Sequence, residues 1–205
     1  MTTTAHANTA KPVLAAFDDV PLKPHASGDT GPVQTLSVSG SLLHSGVLAL
    51  DFRLSADLPK LRFVPCVCHA QRRDELWRHT CFELFARRDQ SPAYCEFNFT
   101  PSGDWAAYAF DDYRGARHDA AQQRIDVTMQ TLGAGQVKLR ARINLGAAFA
   151  IDAAALELTN WQLNCAAVIE SHDGALGYWA VHHPRPQPDF HDAAGFLISL
   201  HGAPR

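Results

Sequence analysis

The stretch LWRHTCFELFARRDQSPAYCEFNFTPSGDWAAYAF at residues 76–110 decides the fold. Around Glu83, and again around Glu96 and Asn98, apolar and polar residues alternate with a period of two. Such alternation places apolar side chains on one face of a strand and polar side chains on the other. The turn sequence PSGD at 101–104 separates two of these runs, as in a hairpin. We therefore predict two or three antiparallel strands here, with four side chains pointing into the core: Phe82, Leu84, Phe97 and Phe99.

The same pattern continues outward along the chain, at residues 48–54, 125–129 and 137–145. The turn Asp173-Gly174 separates two further runs, and an alanine-rich stretch at 151–156 is the one weak helix candidate. About ten short strands with one buried face each are typical of an antiparallel sandwich. The sequence thus predicts an all-β fold, an antiparallel β-sandwich of jelly-roll or immunoglobulin-like type.

Length and composition limit the organisation and the partners. A chain of 205 residues fits one domain with a sizeable core. We assign residues 1–17 to a poorly ordered lead-in and residues 18–205 to the sandwich domain. The net charge of −3 comes without a basic stripe, which argues against nucleic acid and anionic membranes as partners. The apolar runs also fall far short of the roughly 20 residues that a membrane helix needs. These features leave the oligomeric state undetermined.

The N-terminal segment and the cysteines indicate the compartment. The first charged side chain is Lys11, and Pro12 and Asp18 interrupt the apolar stretch, so the pattern of a signal peptide is missing. We expect a cytoplasmic protein. An odd number of cysteines cannot be fully paired within one chain, and reduced thiols are the expectation in that compartment. The five cysteines are Cys66, Cys68, Cys81, Cys95 and Cys165.

Several segments together carry a family resemblance. They are Leu22-Lys23-Pro24-His25, residues 76–110, Tyr113-Arg114, residues 177–184, residues 188–191 and Gly195-Phe196. In these segments, which extend over roughly residues 20–200, the chain resembles the DOMON-like domain proteins related to family 9 carbohydrate-binding modules. The resemblance implies an antiparallel β-sandwich that binds a ligand without enzymatic activity. Relatives bind sugars or haem, and in the sugar-binding ones tryptophans flank the sugar ring.

The polar faces of the predicted strands supply candidate ligand contacts. Amides, carboxylates and guanidinium groups can bond to sugar hydroxyls, which both donate and accept hydrogen bonds. The alternative is an ordinary solvated sheet face with ion pairs between strands. The candidates on these faces are Glu83, Glu96, Asn98, Arg140, Arg142, Gln162 and Asn164.

Tryptophans near loops are the candidates for stacking on a sugar. Trp77 lies in the charged segment DELWRHT, Trp105 follows a tight turn, and Trp179 precedes a proline-rich loop. We predict that one or more of them lies at the rim of a cleft over the polar face. The alternative is that they pack in the core, as large aromatic residues usually do. For Trp161, which is in register with Leu163, we predict core packing.

Catalytic and metal sites are two further functions that carboxylates, histidines and cysteines of this chain could serve. Glu83 and Glu96 could face each other as the two carboxylates of a glycoside hydrolase, but nearby arginines are expected to keep both ionised, so we predict no catalytic residue. Residues 66–69 read CVCH, without the second ligand pair of a structural zinc site. The cluster of His182, His183 and His191 with Asp189 reads as a surface loop rather than a metal site.

Haem is the cofactor that some of these relatives bind. A b-type haem needs axial ligands such as His, Met or Lys in an apolar pocket. The chain has no CxxCH segment for covalent attachment, and the alternation around Met129 predicts a core position. We therefore predict a non-catalytic domain without cofactor that binds a small molecule or glycan, most simply a carbohydrate or sugar derivative. The alternatives are a haem-binding redox domain and a protein-interaction module.

Overall fold

Two antiparallel sheets make up the fold in the computed structural model, which describes residues 13–28, 30–63, 70–89, 91–121 and 124–201. Within these residues the first sheet has five strands, given in order across the sheet: β1 (Val13–Pro21), β3 (Val33–Leu43), β4 (Val47–Ala56), β10 (Gln136–Asn144) and β9 (Asp126–Gly133). The second sheet is ordered β2 (Lys23–Pro24), β12 (Leu176–Ala180), β11 (Trp161–Glu170), β5 (Cys81–Arg88), β6 (Tyr94–Phe99), β7 (Trp105–Phe110) and β8 (Arg117–Asp119), and β13 (Ile198–Leu200) also pairs with β11. The predicted all-β sandwich is confirmed.

The strand number differs from the prediction for a simple reason. The described residues form 13 strands rather than about ten, because β2, β8 and β13 contain only two or three residues each. Runs that short carry no readable alternation. The helices are also short: α1 comprises Leu145–Ala148 and α2 comprises Ala153–Leu158. Asn144 and Asp152 are their N-cap residues, and each side chain accepts a hydrogen bond from the backbone N–H group three residues later.

The core lies between the two sheets. Phe82, Leu84, Phe97 and Phe99 are all buried in it, as the alternation predicted. The ring of Phe52 on β4 lies 5.2 Å from that of Phe82 and 5.8 Å from that of Phe99, centroid to centroid, which joins the sheets. Each such side chain contributes about 1.5–3 kcal/mol by leaving water.

The N-terminal boundary of the first sheet lies earlier than predicted. Strand β1 begins at Val13, so residues 13–17 pair in the sheet and are not part of a lead-in; residues 1–12 lie outside the described residues. The segment lacks clear alternation, and its position depends on a partner far along the chain. Phe17 lies over Gly40 of β3, where an added Cβ would approach its ring to 2.4 Å.

Three cysteines are buried free thiols: Cys81, Cys95 and Cys165. Burial raises the pKa of the Cys95 thiol to about 12, which keeps it protonated and unreactive. Cys66 and Cys68 lie outside the described residues, so the absence of a disulfide between them stays a prediction.

The second sheet is covered on both faces, and this positions the site. One face packs on the first sheet, and the other carries a second apolar cluster that includes Phe85, Tyr108 and Phe190. The loop from β12 to β13 lies over this outer face, and Asn164 Nδ2 holds it by donating a hydrogen bond of 2.9 Å to the Phe190 carbonyl. Within the described residues, no helix has the length and apolar character needed to cross a bilayer.

Candidate functional site

A cleft of about 810 Å³ opens on the outer face of the second sheet. Its floor consists of side chains from β5, β6 and β11, and its walls come from residues 77–79, 110–117, 176–178 and 188–191. The volume falls within the roughly 300–1,000 Å³ range of small-molecule sites. The site therefore combines regular strands below with irregular connecting segments above.

Two glutamates lie next to each other on the floor. Glu83 of β5 is paired with Asn98 of β6, and Glu96 is paired with Phe85, so the two glutamates are diagonal neighbours on one face. Diagonal neighbours on adjacent strands are about 7–8 Å apart at the backbone, within reach of two long side chains. Both carboxyl groups are buried: Glu83 is 3% exposed and Glu96 is 5% exposed. The alternative of an ordinary solvated face is therefore wrong for this pair.

Burial changes the ionisation of both glutamates. It raises the pKa of Glu83 well above the usual range, and the nearby charge of Glu96 raises it further. Burial also raises the pKa of Glu96 to about 7, although the hydrogen bond from Asn98 and the charges of Arg117 and Arg114 oppose this. Near neutral pH the floor holds at least one protonated carboxyl group, which can donate a hydrogen bond as well as accept one.

Hydrogen bonding on the floor is incomplete. Glu96 Oε1 accepts a hydrogen bond of 2.7 Å from Asn98 Nδ2. Glu83 Oε1 and Asn98 Oδ1 are buried and have no partner in the part of the chain that the structure describes. A buried polar group without a partner costs about 1–3 kcal/mol. Glu83 lines the cleft, so its unpaired oxygen indicates a place where a polar group of a ligand would bind.

A chain of hydrogen bonds supports the floor from one wall. The backbone N–H of Arg114 donates to the Tyr94 hydroxyl at 3.3 Å, and that hydroxyl lies 2.8 Å from His191 Nδ1. Burial raises the pKa of Tyr94 to about 12, so the phenol keeps its proton and can donate it to Nδ1. The other imidazole nitrogen, Nε2, then carries the proton and lies 3.8 Å from Glu96 Oε2. Burial, with the charge of Arg114, lowers the pKa of His191 to about 4, so the ring is neutral.

Aromatic side chains form parts of two opposite walls. Trp77 lies in a single 3₁₀ turn, Leu76–Arg78, and its half-buried ring packs edge-on to Tyr108 of β7 at 6.1 Å. Tyr178 of β12 is also half-buried and packs against Phe190 at 6.4 Å. Four strand spacings separate β12 from β7, which is about 19 Å at roughly 4.8 Å per spacing. A flat ligand thus has an aromatic surface available at either side.

Three arginines line the cleft. Arg78 pairs with Glu75 at 3.0 Å, and Arg114 pairs with Asp189 at 2.9 Å. Asp189 also accepts a hydrogen bond of 2.5 Å from the Tyr113 hydroxyl. Although burial opposes the change, these bonds to Asp189 hold its pKa below the usual value.

The third arginine, Arg117, differs from the other two. Its guanidinium carbon lies 4.6 Å from the Tyr108 ring centroid and 5.8 Å from that of Trp77. No carboxylate of the described residues lies within ion-pair distance of it. Its positive charge is therefore held against two rings, and among the described residues it acts on Glu96 and Asp74 only at distances longer than an ion pair.

Three of the predicted site residues meet in the cleft: Trp77, Glu83 and Glu96. Asn98 lies on the same face, directly behind Glu96, to which it donates. Asn164 shares the face but holds the covering loop rather than lining the cleft. Gln162 lies further along β11, where its Oε1 accepts a hydrogen bond of 2.9 Å from Arg87 Nε.

Four predicted site residues lie elsewhere. Trp105 and Trp179 are buried between the sheets, at 6% and 4% exposure, so the rim position predicted for them is wrong. Arg140 and Arg142 lie on the outer face of the first sheet, where Arg140 pairs with Asp51 at 2.6 Å. The expectation that nearby arginines keep both floor glutamates ionised is wrong, because burial outweighs the charges of Arg114 and Arg117 beside Glu96 and raises the pKa of both glutamates. Alternation assigns a side chain to a face of its own strand but does not say which sheet contains the strand.

Several residues that line the cleft were not among the predicted site residues. Arg114 and Phe190 lie in connecting segments, Arg117 lies on the three-residue edge strand β8, and Tyr178 lies on the five-residue strand β12, so none belongs to a run long enough to show a period. From the sequence, His191 belongs to a predicted surface loop with His182 and His183, which gives no sign that its ring lies beside Glu96. Among the residues that the structure describes, no group of three or more His, Cys, Asp and Glu side chains is placed to hold a metal. Residues 66–69 lie outside that part of the chain.

Comparison with known proteins gives a likeness to a solved structure. No family model and no curated protein matches the chain. A solved structure, that of a candidate carbohydrate-binding protein from Bacteroides uniformis, superimposes with a TM-score of 0.58 over 80% of this chain and 77% of that chain, at 17% sequence identity. At this identity the likeness shows a shared fold. The DOMON-like resemblance stays a prediction.

Proposed function

We propose that this chain is a non-catalytic carbohydrate-binding domain whose ligand occupies the cleft over Glu83 and Glu96. The observation that carries the proposal is the buried Glu83 Oε1, which has no partner among the described residues and lies on the floor between aromatic walls. A protonated carboxyl group both donates and accepts, as a sugar hydroxyl does, so the two are complementary. A sugar in this position would remove the cost of the unpaired oxygen.

The walls and the structural neighbour add support. Trp77 and Tyr178 offer aromatic surfaces to the C–H faces of a sugar ring, and these contacts supply affinity while the polar floor supplies orientation. The Bacteroides uniformis protein with the shared fold is described as carbohydrate-binding, which agrees with this class of ligand.

Haem is less well supported as a ligand. The residues of the cleft place two buried carboxyl groups on its floor, where a haem requires apolar surface. Met129 lies on β9 of the first sheet, packed against the core on the other side of the molecule. The purified protein should therefore be colourless, and a Soret band would favour haem instead.

The test begins with a glycan array and continues with calorimetric titration of the glycans it identifies. Trp77→Ala and Glu83→Leu, which removes the donor and acceptor at similar volume, should each weaken binding at least about tenfold, which corresponds to about 1.4 kcal/mol. Arg142→Ala is the matched control, because this exposed residue lies on the opposite sheet and its loss should leave affinity unchanged. Equal affinity in all three variants, with native melting curves, would place the site elsewhere, and an array without any binding would contradict the proposal.

Glycoside hydrolysis is the second candidate function, favoured by one observation. Burial raises the pKa of both floor glutamates, and the charge of Glu96 raises that of Glu83 further; an acid with a raised pKa beside a second carboxyl group is the arrangement of a glycoside hydrolase. The same glycans should be incubated with the protein and assayed for new reducing ends. A binding domain returns them intact, whereas release of sugar that Glu96→Gln abolishes would identify an enzyme.

A further inference from the structure

We infer that the sugar bound in this cleft carries an anionic group, and that Arg117 is the residue that binds it. The inference rests on the proposed function, which it narrows from carbohydrates in general to acidic ones. The anionic group could be a carboxylate, as in a uronic acid, or a phosphate ester. Both present oxygens in the geometry that a guanidinium group recognises with two parallel hydrogen bonds.

Of the three arginines that line the cleft, Arg117 is the one without an ion pair among the described residues. Arg78 and Arg114 are neutralised by Glu75 and Asp189. In the described part of the chain, Arg117 has no carboxylate within ion-pair distance, although its side chain is exposed at the wall of the cleft. An anionic ligand would supply the missing partner.

Two aromatic rings hold the Arg117 side chain in position. Its guanidinium group lies against the rings of Tyr108 and Trp77, contacts that are favourable in themselves. Tyr108 is in turn fixed by a hydrogen bond of 2.7 Å from its hydroxyl to Asp74. A side chain that is ordered before the ligand arrives loses less conformational freedom on binding, so more of the interaction appears as affinity.

Arg117 lies next to Trp77, the proposed stacking surface for a sugar. Trp77 forms the aromatic wall, and its ring is 5.8 Å from the guanidinium carbon. A sugar ring held against Trp77 therefore brings its substituents within reach of Arg117. The carboxyl groups on the floor do not counter this charge fully, because burial favours their neutral form.

Calorimetric titration with matched sugars tests the inference. The panel contains glucose and galactose, the corresponding uronic acids, the methyl esters of those acids, and the two hexose 6-phosphates. The acidic members should bind at least about tenfold tighter than the neutral sugar and the ester of the same ring, and high salt should weaken only the acidic members. Comparison of uronic acids with phosphates identifies which anionic group is used.

Arg117→Gln should reduce the affinity for the acidic sugars at least about tenfold, and the affinity for the neutral sugars by a clearly smaller factor, because only the acidic sugars lose an ion pair. Arg53→Gln is the control, because it removes the same charge from an exposed position on β4 of the opposite sheet. Neutral sugars binding as tightly as acidic ones, or an equal loss for both in Arg117→Gln, would overturn the inference and leave the proposed function intact. If no member of the panel and no glycan on the array binds, the proposed function fails and this inference fails with it.

Discussion

At the scale of single residues, the buried glutamates give the molecule its most unusual feature. Soluble domains seldom bury ionisable side chains without a partner, since the unpaired group is costly. Glu83 and Glu96 are buried on adjacent strands, and only Glu96 has a hydrogen bond from Asn98 among the described residues. Their position on the face opposite the core was evident from the sequence, because both alternate with core residues. Their burial was not, because it depends on the covering loop, which is remote in sequence.

The ionisation of Glu96 predicts a pH dependence of stability. Its pKa rises from 4.5 to about 7 on folding, so the folded chain binds more protons than the unfolded chain between those pH values. The contribution of Glu96 to the free energy of unfolding therefore falls by about 3 kcal/mol as pH rises through this window, while the lowered pKa of His191 acts in the opposite direction in both the wild type and the Glu96→Gln variant. Glu96→Gln keeps an acceptor for Asn98 but cannot titrate, so its stability should fall less over the same window.

Urea unfolding at several pH values from about 4.5 to 7.5 measures this difference. Glu75→Gln provides the control, because that side chain is exposed and its ion pair with Arg78 contributes little. Asp51, Asp74 and Asp189 have lowered pKa values and so affect stability only at more acidic pH. Parallel pH profiles for the wild type and Glu96→Gln would show that Glu96 is not perturbed as described.

At the scale of elements, strands β5 and β6 show how far alternation can be trusted. It predicted correctly that Phe82, Leu84, Phe97 and Phe99 face the core. It also predicted that Glu83 and Glu96 share the other face. The prediction worked because a one-residue slip of register would move every side chain to the wrong face of its sheet.

Truncating the centre of β6 should therefore be costly. Phe97 is fully buried, so Phe97→Ala should lower the free energy of unfolding by about 3–5 kcal/mol, through lost burial and the cavity left behind. Leu132→Ala on β9 is the comparison, because Leu132 is 44% exposed and its loss should change stability by about 0.5 kcal/mol or less. Chemical denaturation of both variants measures the difference, and a similar small effect for the two would mean that β6 is not at the centre of the core.

For strand β10, alternation predicts the correct face of the strand but does not predict the sheet to which the strand belongs. Arg140 and Arg142 do face away from the core, as predicted, but their strand pairs with β4 and β9 of the first sheet. Pairing between strands distant in sequence is set by the packing of the whole chain, not by the local pattern. Trp105 and Trp179 illustrate the same limit, since nearness to a loop suggested exposure while their register faces the core.

At the scale of the whole molecule, the sandwich gives the site a rigid base and the loops give it a shape. The second sheet supplies Glu83 and Glu96 from paired strands, whose positions are fixed by their core-facing neighbours. The segments around Trp77, Arg117 and His191 come from three separate parts of the chain and converge only after folding. Loops without periodicity do not show where they will lie, so the sequence predicted the floor of the cleft but not most of its walls.

The central claim is that a sugar binds in this cleft, and the four tryptophans provide an internal test of it. Trp77 lines the cleft, whereas Trp105, Trp161 and Trp179 are buried in the core. The measurement is a titration of ¹⁵N-labelled protein with a uronic acid, following the four indole N–H signals by NMR, with Trp77→Phe to assign the signal of Trp77. The account predicts a saturable shift of the Trp77 signal while the other three stay in place. Binding that leaves the Trp77 signal unmoved, or that moves only the core tryptophans, would contradict it.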